Sequence, residues 1–280
     1  MNNFTDESCE AFSRNYPEVP HSLVHTLDSH PLLTLESLAE LADSLPMKDR
    51  ECNVGDLPIG VDEVPEQFLD NLGERLLNID NAGCWIALRH VEQNAAYNQL
   101  LHDLFADLKP AIESATGKML QIEGYIFVTS PGGVAPFHMD PEHNILLQVK
   151  GSKLFTTFPA GDPRYAPDEQ HEAYHVGRGR HELRWRDELA DGAVEWHLGP
   201  GDALYVPVMA PHYVVNSQEL SISISVVWRS EWSFEEADAR AFNGLLRKAG
   251  ISPSRPRRWP EQNRAKSLAW RALRKTGVVD

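Results

Sequence analysis

Apolar residues recur at three- and four-residue steps near both ends of the chain and at two-residue steps in its middle, which divides it into helical flanks and a β centre. Leu35, Leu38, Leu41 and Leu45 form one helical stripe, opened by Thr34 as a capping residue and stopped by Pro46. A Pro-, Gly- and Asp-rich connection over 54–65 leads to PEQFLDNLGERLLNID and then to CWIALRHV, which predicts a short strand. Tyr97, Leu100, Leu101, Leu104, Phe105 and Leu108 make a second helical stripe that Pro110 kinks or breaks. Residues 1–120 are therefore predicted to form a mainly helical part packed on the β core.

From Gln121 to Trp228 the pattern is of short strands punctuated by Pro and Gly: GYIFVT, NILLQVK, KLFTTF and ALYVPV. In LSISISVVW the alternation is strict, with Leu220, Ile222, Ile224, Val226 and Trp228 on one face and Ser221, Ser223 and Ser225 on the other. Such a series predicts an antiparallel sandwich or barrel over 121–233. The polar stretch between Arg164 and Asp191 is predicted to be a long loop within it. Residues 234–280 return to helix in two segments, separated by the proline-rich break SPSRPRRWP, with the last helix over 262–275.

Charge adds a second division. The chain carries 26 basic and 41 acidic residues, a net charge of −15, which disfavours nonspecific binding to nucleic acid or an anionic membrane by the body as a whole. From Arg247 to Asp280, however, ten basic residues face two acidic ones, a local +8 that leaves the remainder near −23. No stretch approaches the ~20 apolar residues of a membrane helix, and the N-terminus lacks a basic-then-apolar leader pattern. Three widely spaced cysteines support neither a disulfide framework nor a thiolate metal site, so a reducing cytoplasm is the expected compartment.

The chemistry concentrates in two segments. In GGVAPFHMDPEHNILLQVKGSK, His138 and Asp140 stand one residue apart, so on an extended strand both leave from the same face. GPGDALYVPVMAPHYVVN then supplies His212 after a tight turn and a short strand. Two imidazoles and one carboxylate form the facial triad of non-haem Fe(II) oxygenases, which leaves positions open for a co-substrate and dioxygen. His143, His171, His175, His181 and His197 lack the spacing and read as loop or surface groups.

The spacing around the triad matches both cupin motifs. Gly132, His138, Asp140, Asn144 and Gly151 follow the first, with Asp140 in place of its second His and Asn144 in place of its Glu; Gly201, Pro207, His212 and Asn216 follow the second, with Met209 where Gly is usual. On these residues the chain resembles the cupin-like JmjC family of Fe(II)/2-oxoglutarate oxygenases, in its asparaginyl-hydroxylase-like branch. The resemblance implies a double-stranded β-helix (jelly-roll) core with flanking helices. It also implies Fe(II) on His138, Asp140 and His212, 2-oxoglutarate as co-substrate, and dioxygen-dependent hydroxylation of an unidentified substrate with release of succinate and CO2.

The same resemblance assigns Lys153 to the distal carboxylate of 2-oxoglutarate and Asn144 to its metal-proximal end. On strand parity alone Lys150, which shares a face with Asn144 and Gln148, competes with Lys153. Ala135 stands where the branch has a Thr that assists the distal carboxylate and Val226 where it has a second Asn; Tyr125 or Thr157 would supply the missing hydroxyl. Trp228 matches a Trp expected to wall the pocket. Related enzymes dimerise through C-terminal helices, so a homodimer built there is also expected. Readings from other classes are a non-catalytic metal-binding cupin sensor, a 2-oxoglutarate-independent cupin dioxygenase and a nucleic-acid-associated factor using the basic tail. Demethylation stands beside hydroxylation.

Overall fold

The computed structural model describes residues 3–60, 71–178 and 183–277. Thr34 caps the helix predicted after it, accepting from the Ser37 amide, and that helix ends at Ser44, short of Pro46. The second stripe forms two helices, because Pro110 sits in the first turn of the second one, where its missing N–H costs nothing.

The helices are α1 Asp6–Asn15, α2 Leu35–Ser44, α3 Leu72–Leu77, α4 Ala95–Phe105, α5 Lys109–Thr116, α6 Asp168–Ala173, α7 Glu231–Lys248 and α8 Arg264–Lys275. The strands are β1 His21–Val24, β2 Arg50–Val54, β3 Cys84–Leu88, β4 Met119–Thr129, β5 Val134–His138, β6 His143–Lys150, β7 Lys153–Thr157, β8 Val194–Leu198, β9 Asp202–Val206, β10 His212–Asn216 and β11 Ser221–Ser230. They form a seven-stranded sheet, β1-β9-β6-β11-β4-β3-β2, and a four-stranded sheet, β5-β10-β7-β8. Their pairing is antiparallel throughout. This is the jelly-roll architecture expected, with one difference. Three strands of the larger sheet, β1, β2 and β3, come from the first 120 residues, where a helical reading leaves room for only one. Four residues of β1 are too few to show a period, and β2 turns polar Glu51 and Asn53 inward.

Both faces of the larger sheet are covered. On one, Ile145, Leu147, Ile222, Ile224, Val226 and Trp228 pack against helical residues such as Phe12, Leu101 and Phe105. On the other, Leu146, Leu204 and Val206 meet Phe155, Val214 and Leu198 of the smaller sheet. Every residue of β11 is consequently buried, and its serine face looks into the barrel rather than into solvent. The stretch between Arg164 and Asp191 is partly helical: α6 is tied to α7 by Asp168 with Arg240 at 2.7 Å and by Glu172 with Arg247 at 2.7 Å.

Candidate metal centre

Antiparallel register brings the two motifs together. His212 opens β10 directly opposite His138 at the end of β5, and opposite Thr157 on β7, so these side chains share the inner face of the small sheet. Asp140 stands two residues beyond His138. The Nε2 atoms of His138 and His212 each lie 3.6 Å from Asp140 Oδ2, and one ligand atom from each residue lies within 4.8 Å of the others. The imidazoles are fixed from behind: His138 Nδ1 lies 2.6 Å from the Pro136 carbonyl and His212 Nδ1 lies 2.9 Å from the Ala210 carbonyl. The tautomer that satisfies both carbonyls puts the proton on Nδ1 and leaves each Nε2 lone pair toward the carboxylate, as metal-ligating histidines require. Phe155 stacks on the His212 ring at 5.0 Å. His212 is buried, and His138 and Asp140 are partly exposed, with side chains 22% and 18% accessible. The donor set fits Fe(II).

Lys153 begins β7, at the opposite end of the same inner face from Thr157. It is buried, and its ammonium donates to Ser223 Oγ at 2.9 Å across the barrel. Desolvation pulls its pKa down from 10.5 to about 7. Lys150, by contrast, is exposed. Asn144 and Asn216 also face the interior; each keeps a buried Oδ1 without a hydrogen-bond partner among the described residues.

Three expectations change. Tyr125 spends its hydroxyl on Glu123 at 2.8 Å, and Thr157 accepts from the Trp196 indole at 2.9 Å, so neither hydroxyl reaches Lys153. Ser223 stands there instead, and the signal for it was the serine face of LSISISVVW. Trp228 does not wall this pocket, because its parity on β11 turns it to the helical side, against Phe105 at 5.0 Å and His143 at 5.2 Å. Nor are His143 and His171 surface groups, since both are fully buried. His143 bonds Tyr205 and Ser230, and burial holds its pKa well below the usual value. His197 is exposed and His175 half-buried, while His181 lies outside the described residues.

The sequence profile of the cupin-like domain matches residues 61–234, more than half of the chain. Lysine-specific demethylase 8 of Danio rerio is 34% identical over 104 residues, covering 35% of this chain and 25% of that protein. Jumonji C domain-containing protein 5 of Drosophila melanogaster is 36% identical over 102 residues, again 35% of this chain and 25% of the relative. The chain thus matches only a quarter of the length of these relatives. Among solved structures, Escherichia coli YcfD aligns with a TM-score of 0.56 and 15% identity over 99% of this chain and 69% of that one. The YcfD ribosomal oxygenase in complex with cobalt and 2-oxoglutarate aligns with a TM-score of 0.53 and 15% identity over 96% and 66%. At such identities these likenesses establish a shared fold.

Proposed function

The chain belongs to the cupin-like domain family of JmjC type, and from that premise we propose that it is an Fe(II)- and 2-oxoglutarate-dependent oxygenase. It hydroxylates a C–H bond of a protein side chain or small amino-acid-like substrate, consuming dioxygen and 2-oxoglutarate and yielding succinate and CO2. The observation that carries this reading is the pairing of the His138, Asp140 and His212 cluster with one buried ammonium, Lys153, on the same inner face of the barrel.

His138, Asp140 and His212 hold the iron, which when bound supplies the activation of dioxygen coupled to oxidative decarboxylation of the co-substrate. The Pro136 and Ala210 carbonyls, by accepting from Nδ1, fix the tautomer of both imidazoles and aim each Nε2. Lys153 meets the distal carboxylate, because a buried ammonium whose one hydrogen-bond partner among the described residues is a hydroxyl is short of a counter-charge that a dicarboxylate provides. Ser223 orients that ammonium and offers its own hydroxyl. Asn144, whose carbonyl oxygen lacks a partner among the described residues, orients the metal-proximal end. Leu146, Phe155, Leu204 and Val214 pack together between the two sheets and keep the barrel interior apolar.

The basic C-terminal segment is engaged by the chain's own acids: Arg247 by Glu172, Arg255 by Asp168, Arg258 by Glu18 and Glu236, and Arg271 by Asp238. That supports intramolecular docking over a nucleic-acid role. A homodimer through these helices is part of the proposal; Leu268, 66% exposed on α8, is an apolar residue there that such an interface would cover. A cytoplasmic location is part of the same proposal; among the described residues no helix is long and apolar enough to cross a membrane.

The test is Fe(II)-dependent succinate formation from 2-oxoglutarate, measured alone and with panels of peptides and amino acids, with His212→Ala as the blank. Turnover in the wild type alone supports the reading. Equal succinate from both proteins contradicts it.

A further inference from the structure

The turn that leads into β10 carries a conflict. Met209 occupies the left-handed region, φ 58°, where a side chain other than Gly is strained and where the cupin pattern has Gly. The turn, closed by the Ala210 amide on the Pro207 carbonyl at 3.1 Å, is buried, with Val208 and Met209 2% and 1% exposed. It touches two members of the triad: the Met209 amide donates to the Asp140 carbonyl at 2.8 Å, and the Ala210 carbonyl orients His212. Something must hold a strained, buried turn in place.

We propose that Arg258 is a positioning residue for the metal centre, a strap from the C-terminal segment that fastens this turn from outside. Its Nη2 donates to the Val208 carbonyl at 3.2 Å. The rest of the guanidinium is itself fixed, with Nε on Glu18 at 2.9 Å and Nη1 on both oxygens of Glu236 at 3.2 and 3.1 Å. The Trp232 ring lies beneath it, 5.4 Å away. One planar fork thus joins the N-terminal segment, α7 and the turn, and a lysine, with a single ammonium, cannot span those acceptors in the same geometry. A buried carbonyl that loses its donor is costly, and here the cost falls on a turn already strained. The proposal rests on reading His138, Asp140 and His212 as metal ligands.

The experiment compares wild type, Arg258→Lys, Arg258→Gln and Arg240→Gln. Arg240 is more deeply buried, its side chain 1% exposed against 18% for Arg258, and also pairs with Glu236, but its other ion pair runs to Asp168 on α6, away from the turn, so a general cost of losing a buried arginine would show there at least as strongly. Two readouts separate the inference from its premise: Co(II) titration without co-substrate, and amide hydrogen exchange over residues 207–212 of the metal-free protein. Folding is checked by circular dichroism. Arg258→Lys, which keeps the charge, carries the test if Arg258→Gln does not fold. The strap predicts faster exchange of the Met209 amide in the Arg258 variants only, and Co(II) affinity about three- to tenfold weaker, at or below the range for groups that orient metal ligands directly. Adding Met209→Gly, which removes the strain, should restore much of that affinity. Wild-type exchange over 207–212 in a folded Arg258→Lys protein overturns the strap. Failure of wild type and His138→Ala to differ in Co(II) binding overturns the metal reading, while the exchange result still decides the strap.

Discussion

Three residues separated by up to 74 positions in sequence meet within 4.8 Å because His138 and His212 stand opposite each other at one end of the paired strands β5 and β10, and Asp140 follows β5 by two residues. Their chemistry was legible in advance, since a metal site repeats residue type and spacing. Replacing His138, Asp140 or His212 with Ala should abolish stoichiometric Fe(II), read by metal analysis, with little change in circular dichroism; full iron in all three variants contradicts the triad. Ser223 was not legible as the partner of Lys153, because that bond crosses between two sheets and no local spacing encodes it. Lys153 makes a pH-dependent prediction. Its folded-state pKa, about 7, lies below its ordinary 10.5, so between those values the unfolded chain carries a proton that the folded chain lacks. This group alone therefore makes the free protein gain stability as pH rises through that window. A bound dicarboxylate restores the charged form, so 2-oxoglutarate binding near pH 8 should take up close to one proton and weaken as pH rises further. Calorimetry in two buffers of different ionisation enthalpy measures the uptake. Lys153→Met should abolish it, and equal apparent enthalpies for wild type in both buffers contradict the assignment.

Elements with a clear period were legible, among them α2 with its Thr34 cap and β11 with its alternating faces, because periodicity reports which side is buried. What covers each side was not. The family resemblance set Trp228, on the apolar stripe of β11, as a pocket wall, whereas the helical layer claims that stripe and the serine stripe faces the barrel interior. Trp228→Ala should consequently cost about 3–5 kcal/mol of stability by denaturant unfolding and leave Fe(II) affinity unchanged; weakened metal binding in the folded variant would restore Trp228 to the site. The β6–β7 hairpin makes a second test at this scale. Gly151, at φ 68°, turns the chain just before Lys153, and a Cβ there would lie 2.2 Å from the Leu220 carbonyl oxygen. Gly151→Ala should lose more than about 1 kcal/mol and weaken 2-oxoglutarate binding by displacing Lys153. Wild-type stability would show that the turn tolerates a side chain.

The molecule as a whole joins its ends around the barrel: the N-terminal segment supplies β1 and Glu18, and the basic C-terminal segment supplies Arg258. The charge asymmetry was visible in the sequence, but its use was not, since pairing between a tail and a body depends on how they dock. With its arginines so engaged, the protein should bind duplex DNA no more tightly than the ~10⁻⁴–10⁻⁶ M of nonspecific association at physiological salt; submicromolar binding that depends on Arg271 and Arg274 would contradict this. Light scattering at tens of micromolar should show a dimer that Leu268→Glu weakens, and a monomeric wild type would remove the C-terminal interface. The measurement closest to the central claim is an anaerobic difference spectrum of the intact protein titrated with Fe(II) and 2-oxoglutarate. The account predicts a visible charge-transfer band that needs both additions, saturates at one equivalent of iron, and disappears in His212→Ala. A wild-type spectrum unchanged by 2-oxoglutarate in the presence of Fe(II) would contradict it.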